Sequence, residues 1–267
     1  MSKIGLVAGA GELPLIFAKN ARAKGHTVVA LGLKGVSPER LSDCADKVHW
    51  FEWGDLKRAL LIAVTERLNK ITLLGKINKE MLFKESGKFD DEARKIVKFS
   101  GGKNDYSILK QIAGLVRVAG IEIIDPTPYL EEIVPVKGVL TGRKPTRTEK
   151  EDIEYGRKVA SELAGLDIGQ TIAVKEKTVV ALEAAEGTDE TIRRAGALTG
   201  GEFTVVKMAR PHQDARFDIP LVGLETVKTL AEAKGSVLAL QEKKTFLMDR
   251  DAVVEFANAH GIVITVI

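Results

Sequence analysis

IGLVAGAGELPLIFAKNARAKG, Ile4–Gly25, is the stretch from which the fold is read. Ile4–Ala8 is a short apolar run, the signature of a strand buried on both faces. Gly9 and Gly11 make the chain turn sharply after it. Glu12–Lys24 then places Leu13, Ile16, Phe17 and Asn20 near helical spacing, which predicts an amphipathic helix that Gly25 ends. Strand, glycine turn and helix in that order open a parallel sheet unit.

The same alternation continues outward from this unit. Thr27–Leu31 reads as the next strand and Lys47–Phe51 as a third. The segment Leu56–Leu68 is a helix and Ile71–Leu74 a fourth strand. Helical patterns at Asp91–Phe99 and Asp105–Val118 precede a strand at Ile121–Ile124. Short apolar strands spaced by helices predict a parallel sheet with helices on both faces, here an α/β, Rossmann-like domain over 1–130. The pattern changes at Asp125-Pro126-Thr127-Pro128, and 133–146 is poorly patterned, with Pro135, Gly138, Gly142 and Pro145. The domain boundary is expected there.

Over 131–267 a second α/β domain is predicted. Its helices are Thr148–Ala164, Thr188–Ala197, Thr226–Ala233 and Ala252–Ala257. Its strands are Thr171–Lys175 and Thr178–Glu183, joined as a hairpin by Glu176-Lys177, then Phe203–Val206, Val237–Leu240, Thr245–Leu247 and Ile262–Val266. Thr188 or Asp189 is expected to cap its helix.

Composition excludes several classes. The chain has 267 residues, 45% of them hydrophobic, which suits a packed core and argues against disorder. A net charge of +3 is too mild to argue for nucleic acid. The single cysteine, Cys44, rules out an internal disulfide. No secretory leader pattern and no run of apolar residues long enough to span a bilayer is seen, so a cytoplasmic location is expected. His26, His49, His212 and His260 lie far apart without metal spacing, which disfavours zinc.

Four segments carry candidate chemistry. VAGAGELP (Val7–Pro14) has two glycines of a dinucleotide fingerprint, but Pro14 replaces the third and no acid follows the second strand. A nicotinamide site is therefore not expected, whereas a phosphate or nucleotide at Gly9 and Gly11 is. In SGGKNDYSIL (Ser100–Leu109), Asn104 and Asp105 offer hydrogen bonds to a base or sugar, or cap a helix. The turn Glu186-Gly187-Thr188-Asp189 opens a helix bearing Arg193 and Arg194, and a hydroxyl at a helix start suits a phosphate. KMARPHQDARFDIPLVG (Lys207–Gly223) sets Asp214 and Asp218 among Lys207, Arg210 and Arg216 in a segment that Pro211 and Pro220 keep irregular. Hard oxygen ligands on such a loop suit Mg²⁺ that also binds substrate phosphates. His212 is read as incidental. Alone, these residues support a phosphorylated ligand, with Mg²⁺ left open, or a solvated charged loop.

Taken together, the segments resemble one family. GLVAGAGELP, LDIGQTIAVKEKTVVALEAAEGTDETIRRAG, KMARPHQDARFDIPLVGLETV and FLMDRDAVVEFANAHGIVITV, in that order, are similar to the LpxI-type UDP-2,3-diacylglucosamine pyrophosphatases over nearly the whole chain. Ala10 stands where that family often has asparagine. The resemblance implies a lipid A enzyme that uses water to split UDP-2,3-diacylglucosamine into 2,3-diacylglucosamine 1-phosphate (lipid X) and UMP. It implies a divalent cation, Mg²⁺ or Mn²⁺, and two domains that embrace the substrate. Asp218 matches the family's catalytic aspartate and is expected to hold the metal, with Asp214 and Gln213 assisting. Lys207 and Arg216 would offset phosphate charge. Thr188, with Glu186 and Asp189 in its turn, would hold a phosphate oxygen, while Gly9, Gly11, Asn104 and Asp105 would line the other side. Peripheral contact with the inner membrane is implied, and a homodimer is compatible with it. The alternative is a nucleotide-sugar or phospholipid binding protein without catalysis.

Overall fold

The structure, a computed structural model, describes residues 2–76, 89–99, 105–166, 168–211 and 213–267. The chain divides into two compact units. The first comprises Met1–Glu131 together with Asp214–Asp218, and the second Glu132–Gln213 with Ile219–Ile267.

In the first unit, β1 (Lys3–Ala8), β2 (Thr27–Leu33), β3 (Lys47–Phe51), β4 (Lys70–Leu74) and β5 (Glu122–Ile123) form one sheet in the order β3-β2-β1-β4-β5. Every pairing is parallel. β1 and β2 are buried along nearly their whole length, as expected for strands covered on both faces. The helix Leu13–Ala23 follows the glycine turn, with Pro14 in its first turn, where a missing N–H costs nothing. Gly25, at φ +84, lets His26 N reach back to the Ala21 carbonyl and close the helix. The helices Leu56–Thr65 and Asp105–Val118 share one core with β2 to β5, made by Ile62, Ala63, Leu68, Ile71, Val116, Ile121 and Ile123.

The second unit is also α/β. Its main sheet runs β6-β13-β11-β9-β7-β8, with β6 at Gly138–Val139, β7 at Thr171–Lys175, β8 at Thr178–Leu182, β9 at Thr204–Lys207, β11 at Val237–Leu240 and β13 at Val263–Val266. The central β9, β11 and β13 are parallel, while β7, β8 and β6 pair antiparallel at the flanks. Helices Thr188–Thr199, Leu224–Glu232 and Arg250–Ala259 cover one face, and Arg147–Gly165 covers the other.

Three expectations change in this unit. The stretch 133–146 holds an edge strand, because Gly138 and Val139 pair with Val266 and Thr265 from the far end of the chain. The expected strand Thr245–Leu247 does not join the main sheet. It shortens to β12 (Phe246–Leu247) and pairs with β10 (Leu221–Val222) as a separate ribbon. The helix Arg147–Gly165 starts a residue early because Thr146 and Glu149 form a reciprocal capping box.

Candidate functional site

The second unit gathers its chemistry where β9 ends and β7 begins. Thr171 and Lys207 are register partners, so the hydroxyl of one and the ammonium of the other meet at one end of the sheet. The Lys207 side chain is buried, with 7% of the residue exposed. Its Nζ donates to Thr188 Oγ1 at 2.8 Å and to Thr171 Oγ1 at 3.2 Å. Thr188 Oγ1 in turn donates to Glu183 Oε1 at 3.1 Å, and the other oxygen of Glu183 accepts from Gln170 N. Burying an ammonium is costly unless polar groups surround it, and here they do so at the start of a helix.

Gly187 makes that helix start possible. Its φ of +87° with ψ 172° is a region open in practice to glycine alone, while a Cβ would meet nothing within 4 Å. The expected cap is corrected here. Gly187 is the cap residue and no side chain caps the helix, so Thr188 is its first residue. The Thr188 hydroxyl is turned into the Lys207 cluster instead of onto the helix amides. Asp189 accepts from Thr226 Oγ1 at 2.9 Å. Glu186 accepts from Ala184 N and from Arg194, whose guanidinium also reaches the Leu182 carbonyl. The carboxyl of Glu186 lies below its ordinary range, chiefly because its own backbone amide donates to it. Glu186 and Asp189 therefore hold the turn in shape around Thr188.

Beyond Lys207 the chain stays irregular up to β10 among its described residues, as its prolines require. Gln213 Oε1 accepts from Arg210 N at 2.9 Å, and Gln213 N donates back to the Arg210 carbonyl at 3.1 Å. Ala209 N donates to Gln241 Oε1 at 2.8 Å, which ties the loop to the end of β11.

Asp214–Asp218 belongs to the first unit. It is a turn in which Phe217 N and Asp218 N both donate to the Asp214 carbonyl. Arg216 closes on the Asp214 carboxylate with Nε at 2.9 Å and Nη2 at 2.6 Å. That guanidinium holds the Asp214 carboxyl below its ordinary value. Phe217 packs against the first unit's core, and Asp218 is exposed. Sequence spacing put Asp214 beside Asp218 as a second carboxylate. The structure gives Asp214 to Arg216.

Gly9 and Gly11 play different parts in the first unit. Gly9 N donates to the Leu74 carbonyl at 2.7 Å, and Ala10 and Lys76 exchange backbone hydrogen bonds. A Cβ on Gly9 would stand 2.8 Å from the Lys76 carbonyl oxygen, so glycine is needed there for strand-to-loop packing. Its amide is used inside the fold. Gly11, at φ +95°, faces open space and remains the residue of the turn that a ligand could approach. Asp105 opens the helix Asp105–Val118, while Asn104 and His212 lie outside the described residues.

Among the described residues no three carboxylates, histidines or cysteines gather around a common point. That donor set does not fit an all-protein metal cage. Sequence reading missed Thr171 and Glu183. Glu183 is the last residue of the predicted strand Thr178–Glu183 and stands just past the observed β8, and only the antiparallel pairing of β7 with β9 brings Thr171 to Lys207.

Residues 3–133 match the family model described as the LpxI N-terminal domain, and residues 136–265 match the one described as the LpxI C-terminal domain. Over 275 aligned residues the chain is 28% identical to the UDP-2,3-diacylglucosamine pyrophosphatase LpxI of Caulobacter vibrioides. That alignment covers 98% of this chain and 96% of the relative.

Proposed function

The chain belongs to the LpxI family, and from that premise we propose that it hydrolyses the pyrophosphate of UDP-2,3-diacylglucosamine in lipid A biosynthesis. Water supplies the oxygen that bonds to one phosphorus, the bridging P–O bond breaks, and the products are UMP and 2,3-diacylglucosamine 1-phosphate. The observation that carries this reading is the end-to-end match of both halves to the two LpxI domains, in the order found in the Caulobacter vibrioides enzyme.

The geometry supports a division of labour within the chain. Lys207, buried and already aimed at a helix start, is set to bind a phosphate oxygen, with the first helix amides as further donors. Glu183 accepts the single proton of the Thr188 hydroxyl and so turns that oxygen's lone pairs toward the Lys207 ammonium. Asp218 is the residue that positions and deprotonates water in this reading, and Asp214 with Arg216 and Gln213 with Arg210 shape the loop on either side of it. Asp218 would hold the divalent cation, which neutralises developing charge on the phosphate oxygens when bound. Gly11 and Asp105 serve the nucleotide in the same reading. A substrate with two acyl chains places the protein on the inner face of a membrane, and among the described residues no helix is long and apolar enough to cross one.

Purified protein given UDP-2,3-diacylglucosamine and Mg²⁺ in ¹⁸O water tests this. UMP should appear with wild type and fail to appear with Asp218→Ala or with EDTA, and the labelled product identifies the phosphorus attacked. Turnover unchanged in Asp218→Ala would remove that residue from catalysis. Tight binding without turnover in wild type would leave a binding protein.

A further inference from the structure

Between Gln213 and Ile219 the chain makes a five-residue excursion. The residues on either side belong to the second unit, and Asp214–Asp218 belongs to the first. Both stems are tied down. Gln213 exchanges hydrogen bonds with Arg210, and the Pro220 carbonyl accepts from Phe246 N at 2.8 Å. Within the excursion the one large apolar side chain is Phe217, which is partly buried and packs against the first unit's core. That core joins β2 to β5 to the helices Leu56–Thr65 and Asp105–Val118.

The ring also orders its neighbours. The Arg216 guanidinium lies over its face, 5.3 Å from the centroid. Arg216 grips the Asp214 carboxylate, and the Asp214 carbonyl accepts from both Phe217 N and Asp218 N. Core, ring, guanidinium and Asp214 thus form one chain of contacts that ends on the amide of Asp218. The Arg216–Asp214 pair stands near the surface, with 47% and 24% of the two side chains exposed, so it shapes the turn without fixing its place. Removing an aromatic ring from water is the stronger tether, and it comes directly before the candidate catalytic aspartate.

We propose that Phe217 is a positioning residue for the hydrolysis: its ring seats the Asp214–Asp218 turn on the first unit and so sets where the Asp218 carboxylate stands. The inference rests on the reading of Asp218 as the residue that positions water. Phe217 acts through its neighbour. A turn that keeps its shape but loses its seat moves the carboxylate away from the reacting phosphorus, and a displacement of about 1 Å costs on the order of 100-fold in rate.

The test compares Phe217→Ala and Phe217→Leu with wild type, as full chains, in two measurements. The first is UMP release from UDP-2,3-diacylglucosamine with Mg²⁺. Phe217→Ala should lower kcat about 30- to 100-fold and leave KM within about twofold, since Lys207 and the helix start at Thr188 are untouched. Phe217→Leu keeps an apolar side chain to bury and should recover kcat to within about fivefold of wild type. The second is hydrogen exchange, which needs no substrate. The amides of residues 217 and 218 should exchange about tenfold faster in Phe217→Ala and near the wild-type rate in Phe217→Leu, while β1 to β4 keep their protection. Wild-type kcat in Phe217→Ala, a loss that appears in KM instead, or unchanged exchange over 214–218 would overturn the proposal. So would faster exchange across the whole first unit, which marks a general structural role. Wild type that releases no UMP would strike the hydrolase reading instead. The exchange result then decides alone: a turn loosened by Phe217→Ala keeps Phe217 as the anchor of Asp218, and a turn left unchanged removes it.

Discussion

Asp152 provides the sharpest test of how this fold holds its candidate site. It is only 4% exposed, on the helix Arg147–Gly165. Its two oxygens accept from Glu176 N at 3.1 Å and Lys177 N at 2.7 Å. Those residues turn β7 into β8 with φ of 51° and 58°, the left-handed geometry of a two-residue hairpin without its usual glycine or asparagine. One buried carboxylate therefore offsets the strain of the turn. A hydrogen bond to a charged group contributes about 1.5–3 kcal/mol. Both turn residues are exposed, so water replaces part of what Asp152→Ala removes. The net loss is about 2–3 kcal/mol, and about half that for Asp152→Asn, which keeps one acceptor oxygen. In a unit of this size the calorimetric transition should fall by about 5–10 °C for alanine. Hydrogen exchange should rise first in β8, an edge strand that leads straight into Glu183. An alanine variant that melts within about 1 °C of wild type, or an asparagine variant as unstable as the alanine one, would refute the clasp.

Other predictions follow from single residues. Lys207→Met removes the buried ammonium from the Thr171 and Thr188 hydroxyls and should lower kcat/KM by about 10- to 100-fold, measured as UMP release, with the melting temperature held or raised. Gly156→Ala would place a Cβ 2.6 Å from Val206 Cγ2, beside Lys207 in sequence, so urea unfolding should show a net loss of about 1–2 kcal/mol after the helix gain from alanine. Glu66 lies at about 2 instead of its ordinary 4.5, held down first by hydrogen bonds from Lys47 and His49. Because its folded value is depressed, it stabilises the fold above pH 4.5, and that contribution fades as pH falls from 4.5 towards 2. With the partial exposure of Lys47 and Lys3 discounted, about 1–2 kcal/mol is at stake, and Glu66→Gln should flatten acid unfolding over that window.

Much of the fold was legible locally. The apolar runs at Ile4–Ala8 and Val237–Leu240 become buried strands because a run of that length and composition has no cheaper way to leave water. Gly25 ends its helix because only glycine takes the left-handed φ there without strain. The EGTD turn was legible as a helix start, yet the role of its threonine was not. Capping is a local preference, and a buried ammonium nineteen residues later outcompeted it.

The sequence by itself determined most of the elements and the residue types able to meet a phosphate, since each depends on neighbours along the chain. Tertiary structure alone decided which of those residues meet. Thr171 reaches Lys207 across 36 positions through antiparallel pairing, Gly138 becomes a strand only against Val266, and Asp214 is occupied by Arg216. Such contacts are set by strand register and by the competition of every donor for every acceptor in the folded state, and no local pattern encodes the outcome of that competition.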